Sequence, residues 1–409
     1  MVIVVENSTS DIVATRLFLR AGSRWEPRAK AGLAHLLASV LTKGTENLSS
    51  QEIAERVEFV GASLGADVAA DYFLLGTKTV SADFADILAL AGEVLRSPTF
   101  PEDQVELERR LTLQSLRSRI EQPFTIASDQ LRQVLYGDHP YALPTLGTPQ
   151  TVAQLQRSDL QHYHQTYFRP DNLVISIVGR VVPEEVFDLV GQVFGNWSAP
   201  SQPIPALVLP ETISQPQTIV TTQDTQQTIV LLGYLAPGAS ATPPESDAYS
   251  ALKLISTHLG NGLSSRLFVE LREKRGLAYD VSAFYPTHLD ASQFSVYLGT
   301  APDNTAIAKA GLQEECDRLR EVLLTPEELQ TAKNKLLGQY ALGKQTSSQI
   351  AQVLGWYEIL GLGIDFDSQF QQNIAAITAE QIQAAAQHYL TQPYVSLVGP
   401  AAFVDAQAA

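Results

Sequence analysis

One cysteine, Cys316, stands in a chain of 409 residues. A single thiol excludes an intrachain disulfide, and it excludes a zinc site built from several thiolates. No run of 18 or more apolar residues occurs, so no segment reads as a membrane-spanning helix. The opening stretch "MVIVVENSTSDIV" has no basic region, no long apolar region and no small-residue cleavage site, so it does not read as a secretion signal. The expected compartment is the cytoplasm. Basic residues are scarce as well: 28 Lys and Arg face 44 Asp and Glu, a net charge of −16. Nucleic-acid binding needs cations clustered on phosphates, and this balance argues against it. The acidic excess has two readings: plain solubility, or an acidic inner surface that attracts basic peptides.

What is present is the composition of a folded chain. Apolar residues make up 45% and charged residues 18%, which leaves no long disordered tract. The length exceeds one ordinary core and suits two domains of about 200 residues each.

The chain also repeats itself. "DLQHYHQTYFRPDNLVISIVG" (159–179) is answered by "EQIQAAAQHYLTQPYVSLVG" (380–399), each an amphipathic helix, a polar turn and a β-rich run ending in Gly, at an offset of about 220 residues. "SSQEIAERVEFVGASLGADV" (49–68) pairs in the same way with "SSRLFVELREKRGLAYDV" (264–281), and "TFPEDQVELERRL" (99–111) with "LTPEELQTAKNKL" (324–336). The order is preserved, as in a duplicated domain. Between the copies, prolines 200, 203, 205, 210 and 216 mark an extended linker, because proline fixes φ and removes a backbone donor. The expected division is 1–197, a linker 198–216, and 217–409.

Within each copy, strand-like runs alternate with helices. "IVATRLFLRAG" (12–22) and "QQTIVLLGYLAPG" (226–238) are β-branched, apolar and closed by Gly. Ser49 and Glu52 form a capping box before Ile53, Val57 and Val60, while Thr242, Pro243 and Glu245 open a helix running to about Gly260. The expected fold class is α+β: two tandem homologous domains, each a mostly antiparallel sheet packed with helices.

One helix resembles a metal site with parts missing. A zinc peptidase motif H-x-x-E-H sets two histidines at i and i+4 on one helical face, beside the glutamate that serves as general base. In "AGLAHLLASVLTKGT" (31–45) those positions read His35, Leu36, Leu37, Ala38 and Ser39. The first histidine stands alone, and one imidazole cannot hold a catalytic zinc, which takes three protein ligands and one open position. His162 and His164 lie at i and i+2 and point in different directions on a helix, so they do not form a metal pair. His139 belongs to a turn-like "GDHPYALP", and His258, His288 and His388 lack a partner at ligand spacing in the sequence; all are read as structural or surface residues.

The stretch "RAGSRWEPRAKAGLAHLLASVLTKGT" resembles the inverzincin metallopeptidases of the pitrilysin and mitochondrial processing peptidase type. The likeness continues through "HPYALPTLGT" (139–148), "YFRPDNLVISIVG" (167–179) and "SSRLFVELREKRGLAYDV" (264–281). The resemblance implies a third zinc ligand, a glutamate on a later helix 80 residues after the first histidine; that position is Ser115. Glu106, Glu108 and Glu121 lie nearby in sequence without occupying it. It follows that Ala38 stands where the base would be, and Ser39 and Ser115 where two ligands would be. His35 is then a hydrogen-bonded histidine on a helix packing face, with a metal role shared with another chain as the alternative. No metal is expected in this chain; zinc is expected in a catalytic partner.

The resemblance also implies a second constellation. In "ELREKRGLAY", Arg272 and Tyr279 match the arginine and tyrosine that family members use on the substrate, flanking Gly276, which reads as a helix C-cap. A guanidinium and a phenol are directed donors suited to a peptide carbonyl and to its oxyanion. The implied function is a non-catalytic, substrate-binding subunit of a heterodimeric zinc metallopeptidase, inactive alone, whose partner is a homologous chain with an intact H-x-x-E-H. Homodimers in isolation are left open. "HLGNGLSSRLF" (258–268) is shorter than the Gly-rich loop of some non-catalytic subunits. The competing reading is a structural scaffold, as in the respiratory complex III core proteins. An unrelated active site has no support, since there is no G-x-S-x-G elbow and no cysteine matched to a histidine.

Overall fold

The computed structural model describes residues 1–240, 242, 245–260 and 262–405. Pro243, expected at a helix start, lies outside them. The chain forms two compact units. Each is built on a five-stranded sheet, and the two sheets repeat one topology. Strands β1 (Val2–Glu6), β2 (Ile12–Leu19), β3 (Ser63–Val68), β4 (Phe73–Val80) and β5 (Leu173–Gly179) take the order β1-β5-β2-β4-β3. Strands β6 (Thr218–Thr222), β7 (Thr228–Ala236), β8 (Asp280–Phe284), β9 (Ser292–Thr300) and β10 (Tyr394–Gly399) take the order β6-β10-β7-β9-β8. Only the β1/β5 and β6/β10 pairs are parallel. The fold is therefore α+β, mostly antiparallel and duplicated, as the repeats lead one to expect.

Hydrophobic patterning explains which strands lie inside. "LVISIVG" and "YVSLVG" are buried at every position, so β5 and β10 are covered on both faces and need no alternation. Edge strand β3 alternates between exposed and half-buried residues up to Val68, which is buried. One face of the first sheet packs Leu17, Leu75 and Ile177 against helices such as Leu33–Val40 and Phe84–Arg96. The capping box expected at Ser49 and Glu52 is present on the helix Ser50–Phe59, and the helix Glu245–Gly260 ends where its sequence placed it.

The units are not the contiguous halves 1–197 and 217–409. The first comprises Met1–Arg117, Leu143–Val208 and Leu342–Asp367; the second comprises Ser118–Ala142, Leu209–Ala341 and Ser368–Ala409. Two helices account for the difference. Pro123–Tyr136, from the first repeat, packs on β7 and β10, while Ser347–Ile359, from the second, packs on β2 and β5. Each exchange is sealed by a glycine that admits close approach. A Cβ on Gly355 would stand 2.4 Å from the Phe18 ring, and one on Gly233 would stand 2.6 Å from Leu131. Residues 198–217 have neither helix nor strand. Arg169 ties the start of this linker to the first unit, donating from Nη1 to the Gln202 carbonyl at 2.7 Å and from Nη2 to that of Pro200 at 3.2 Å.

Candidate functional site

The helix Leu33–Val40 buries Leu33, Ala34, Leu36, Leu37, Ala38 and Val40, which leaves His35 and Ser39 half-buried on one face. Its start is held in an unusual way. Gly32 occupies the N-cap with φ 94°, and a Cβ there would lie 2.6 Å from the Leu146 carbonyl oxygen, so no other residue fits. Glycine supplies no capping side chain. Glu26 does so from six residues upstream, with Oε2 accepting from the Gly32 N–H at 2.9 Å and Oε1 from the Ala34 N–H at 2.5 Å. Burial raises the Glu26 pKa to about 8, outweighing the two N–H groups that pull it down.

The surroundings of His35 favour its neutral form. Burial lowers its pKa, while the carboxylates of Asp67 and Glu108 act in the opposite direction. Glu108 is engaged by Lys43 at 3.1 Å. Ser115 lies seven residues further along the same helix, Glu102–Arg119, and is exposed. The Ser39 hydroxyl donates back to the His35 carbonyl at 3.1 Å, turned onto its own helix rather than beside the imidazole. Ala38, buried, carries no group able to accept a proton. Among the described residues, no three His, Cys, Asp or Glu side chains gather so as to hold a metal ion. This donor set does not fit a catalytic zinc, which needs three ligands around one ion.

Other histidines serve packing. His164 is buried with Nε2 at 2.8 Å from the Leu95 carbonyl, its pKa lowered to about 4 by burial, whereas His162 on the same helix is exposed. The two do point apart. Burial likewise lowers His258 to about 4, and His388 sits edge-on to Tyr389. His139 is buried; its Nδ1 accepts the Tyr141 N–H at 3.2 Å, and Nε2 lies 3.8 Å from Asp290 Oδ2. The Asp290 contact spans 151 residues of chain and left no local signal in the sequence.

In the second unit, the segment Phe268–Lys274 is π-helical and is closed at its C-terminal end by two backbone bonds. The Leu277 N–H donates to the Leu271 carbonyl at 2.9 Å, and the Gly276 N–H to that of Arg272 at 3.1 Å, with Gly276 at φ 62°. The Gly276 bond is that of an αL C-cap, which favours glycine for the left-handed residue. Buried Leu277 anchors the turn, and the Tyr279 N–H then joins the Gly299 carbonyl at 2.9 Å on the way into β8. Arg272 and Tyr279 are thus set on either side of a rigid turn, and both side chains are exposed. The Arg272 guanidinium lies 4.8 Å from the Phe268 ring centroid. Neither side chain has a hydrogen-bond or ion-pair partner among the described residues. No described helix is long and apolar enough to cross a membrane.

Residues 1–149 match the Insulinase (Peptidase family M16) domain, and residues 154–336 match the Peptidase M16 inactive domain. An uncharacterized zinc protease of Mycobacterium leprae is 31% identical, over 94% of this chain and 86% of its own. The uncharacterized zinc protease YmxG of Bacillus subtilis is 26% identical, over 97% and 96%. Among solved structures, a peptidase M16 inactive domain from Pseudomonas fluorescens superposes with a TM-score of 0.89 at 26% identity, covering 98% of this chain and 95% of that one. The chain belongs to the insulinase, or M16, family of peptidases.

Proposed function

We propose that this chain is the non-catalytic, peptide-binding subunit of a two-chain zinc metallopeptidase, and that it lends Arg272 and Tyr279 to the site of a homologous partner carrying an intact H-x-x-E-H. One observation carries the reading. The helix that would hold metal and base has Ala38 and Ser39 in their places, yet Arg272 and Tyr279 stand exposed beside a hydrogen-bonded turn with no hydrogen-bond or ion-pair partner among the described residues. Exposed, unengaged donors serve a ligand better than they serve the fold. In this scheme the partner supplies metal and base, and this chain supplies donors to the scissile carbonyl as it gains negative charge.

The test is reconstitution. The purified chain should carry no stoichiometric zinc after mild chelation and should not cleave peptides. Adding the homologous chain with the intact motif should create peptidase activity or raise it greatly. One zinc per chain that is lost on His35→Ala, or full activity of the partner alone, would overturn the proposal.

A further inference from the structure

Arg16 lies in the middle of β2, and the pairing register sets its surroundings. It stands opposite Gly76 of β4, and Gly76 stands opposite Gly65 of β3. Paired residues of antiparallel strands share a sheet face, so this row runs from a guanidinium across two residues without side chains to the edge of the sheet. The guanidinium is laid over the first glycine: a Cβ on Gly76 would sit 3.0 Å from Arg16 Nη1. Beyond it the floor is bare, and a Cβ on Gly65 would meet nothing within 4 Å.

Nη1 donates to the carbonyls of Thr15 at 3.0 Å and Thr77 at 3.2 Å. No carboxylate pairs with Arg16 among the described residues, although a guanidinium offers five N–H donors. In the adjacent row, Ala14–Lys78–Ser63, a second cation is exposed on the same face and also lacks an ion pair. The helix Ser347–Ile359 packs on β2 and β5. The helices beside β3 and β4 pack on the opposite face, where Leu64, Ala66 and Leu75 join the core. In a chain of net charge −16, two cations without an ion pair among the described residues border this open floor at the sheet edge, with the exposed Asp67 of the row Phe18–Leu74–Asp67 on its other side.

We propose that Arg16 is a specificity-determining residue that binds a carboxylate of an extended peptide lying on this floor, either an acidic side chain or a free C-terminal carboxylate. The inference rests on the peptide-binding reading above. A planar guanidinium over Gly76 and beside the bare Gly65 offers its remaining N–H groups as a fork, the geometry that receives a carboxylate through two parallel hydrogen bonds. Lys78 strengthens the local field, and the contact, being partly solvated, weakens with salt.

The experiment measures binding of three fluorescently labelled, unstructured peptides of about ten residues, identical except for charge: three Glu with an amidated C-terminus, three Gln with an amidated C-terminus, and three Gln with a free C-terminus. The Glu peptide should bind about tenfold tighter than the amidated Gln peptide, the scale of one charge-assisted contact. The third peptide tells whether a terminal carboxylate suffices. Arg16→Gln should remove the preference, and Arg16→Lys should keep only part of it. Gly65→Val fills the floor without touching Arg16 and suits a strand, so it should remove the preference in a folded protein even if Arg16→Gln fails to fold. Equal binding of the charged and uncharged peptides overturns the role of Arg16 and leaves peptide binding standing. A preference that survives in folded Arg16→Gln overturns it too. Binding of none of the three overturns both readings.

Discussion

Glu26 governs the His35 helix from outside it. A carboxyl whose pKa rises from an ordinary 4.5 to about 8 holds its proton longer in the folded chain than in the unfolded one. Its contribution to stability is fully present below about 4.5 and is lost as pH rises to about 8. Glu26→Gln keeps an acceptor oxygen for the helix N–H groups and removes the titration. The variant should therefore gain on the wild type as pH climbs through that window, read as urea midpoints at a series of pH values; parallel midpoints would show that Glu26 does not titrate there. At this scale the sequence was legible where residues act through chain neighbours. The shared, half-buried face of His35 and Ser39 could be read from spacing alone, because i and i+4 share a helical face. Glu26 could not, since its six-residue reach to the Gly32 N–H depends on how the intervening turn folds. The missing cap at Gly32 was the one available signal.

At the scale of elements, local chemistry set the boundaries and tertiary packing set the partners. Ser49 and Glu52 announce a helix start because both bonds of the box are local, and Ser49→Ala should cost about 1 kcal/mol in denaturant unfolding. The destinations of Pro123–Tyr136 and Ser347–Ile359 were hidden. Apolar periodicity marks a face to be buried and does not say which sheet buries it. The glycines at the two exchange contacts give this packing a measurable sign. In an exposed helix interior, Gly→Ala gains about 1 kcal/mol through propensity. Gly338, inside the helix Pro326–Leu342 with nothing within 4 Å of its would-be Cβ, should behave that way. Gly355→Ala should do the reverse and lose about 1–3 kcal/mol, because its Cβ would be driven into the Phe18 ring. Equal stabilisation by both substitutions would mean that Ser347–Ile359 does not rest on β2.

On the scale of the whole molecule, duplication has produced two sheets of one topology whose functional positions have diverged. Both sheets keep the same strand order and the same single parallel pair, and this was foreseeable from repeats that preserve order at one offset. In the first unit, no three His, Cys, Asp or Glu side chains gather among the described residues so as to hold a metal ion. The second presents Arg272 and Tyr279 beside a glycine-capped, hydrogen-bonded turn at Gly276. If these donors act on a carbonyl in a partner's catalytic cycle, their contribution grows as the oxyanion forms. Arg272→Ala or Tyr279→Phe should then lower turnover of the reconstituted complex by about 10²-fold, the scale for one well-placed oxyanion donor. Folding and assembly should be nearly unchanged, because both side chains are exposed and neither substitution opens a core cavity. The double variant should lose less than the sum of the two in free energy, since both groups serve the same or neighbouring atoms. Wild-type turnover by both variants in an intact complex would reduce Arg272 to a cation stacked on Phe268 and Tyr279 to a surface ring, and the scaffold reading would then account better for the chain.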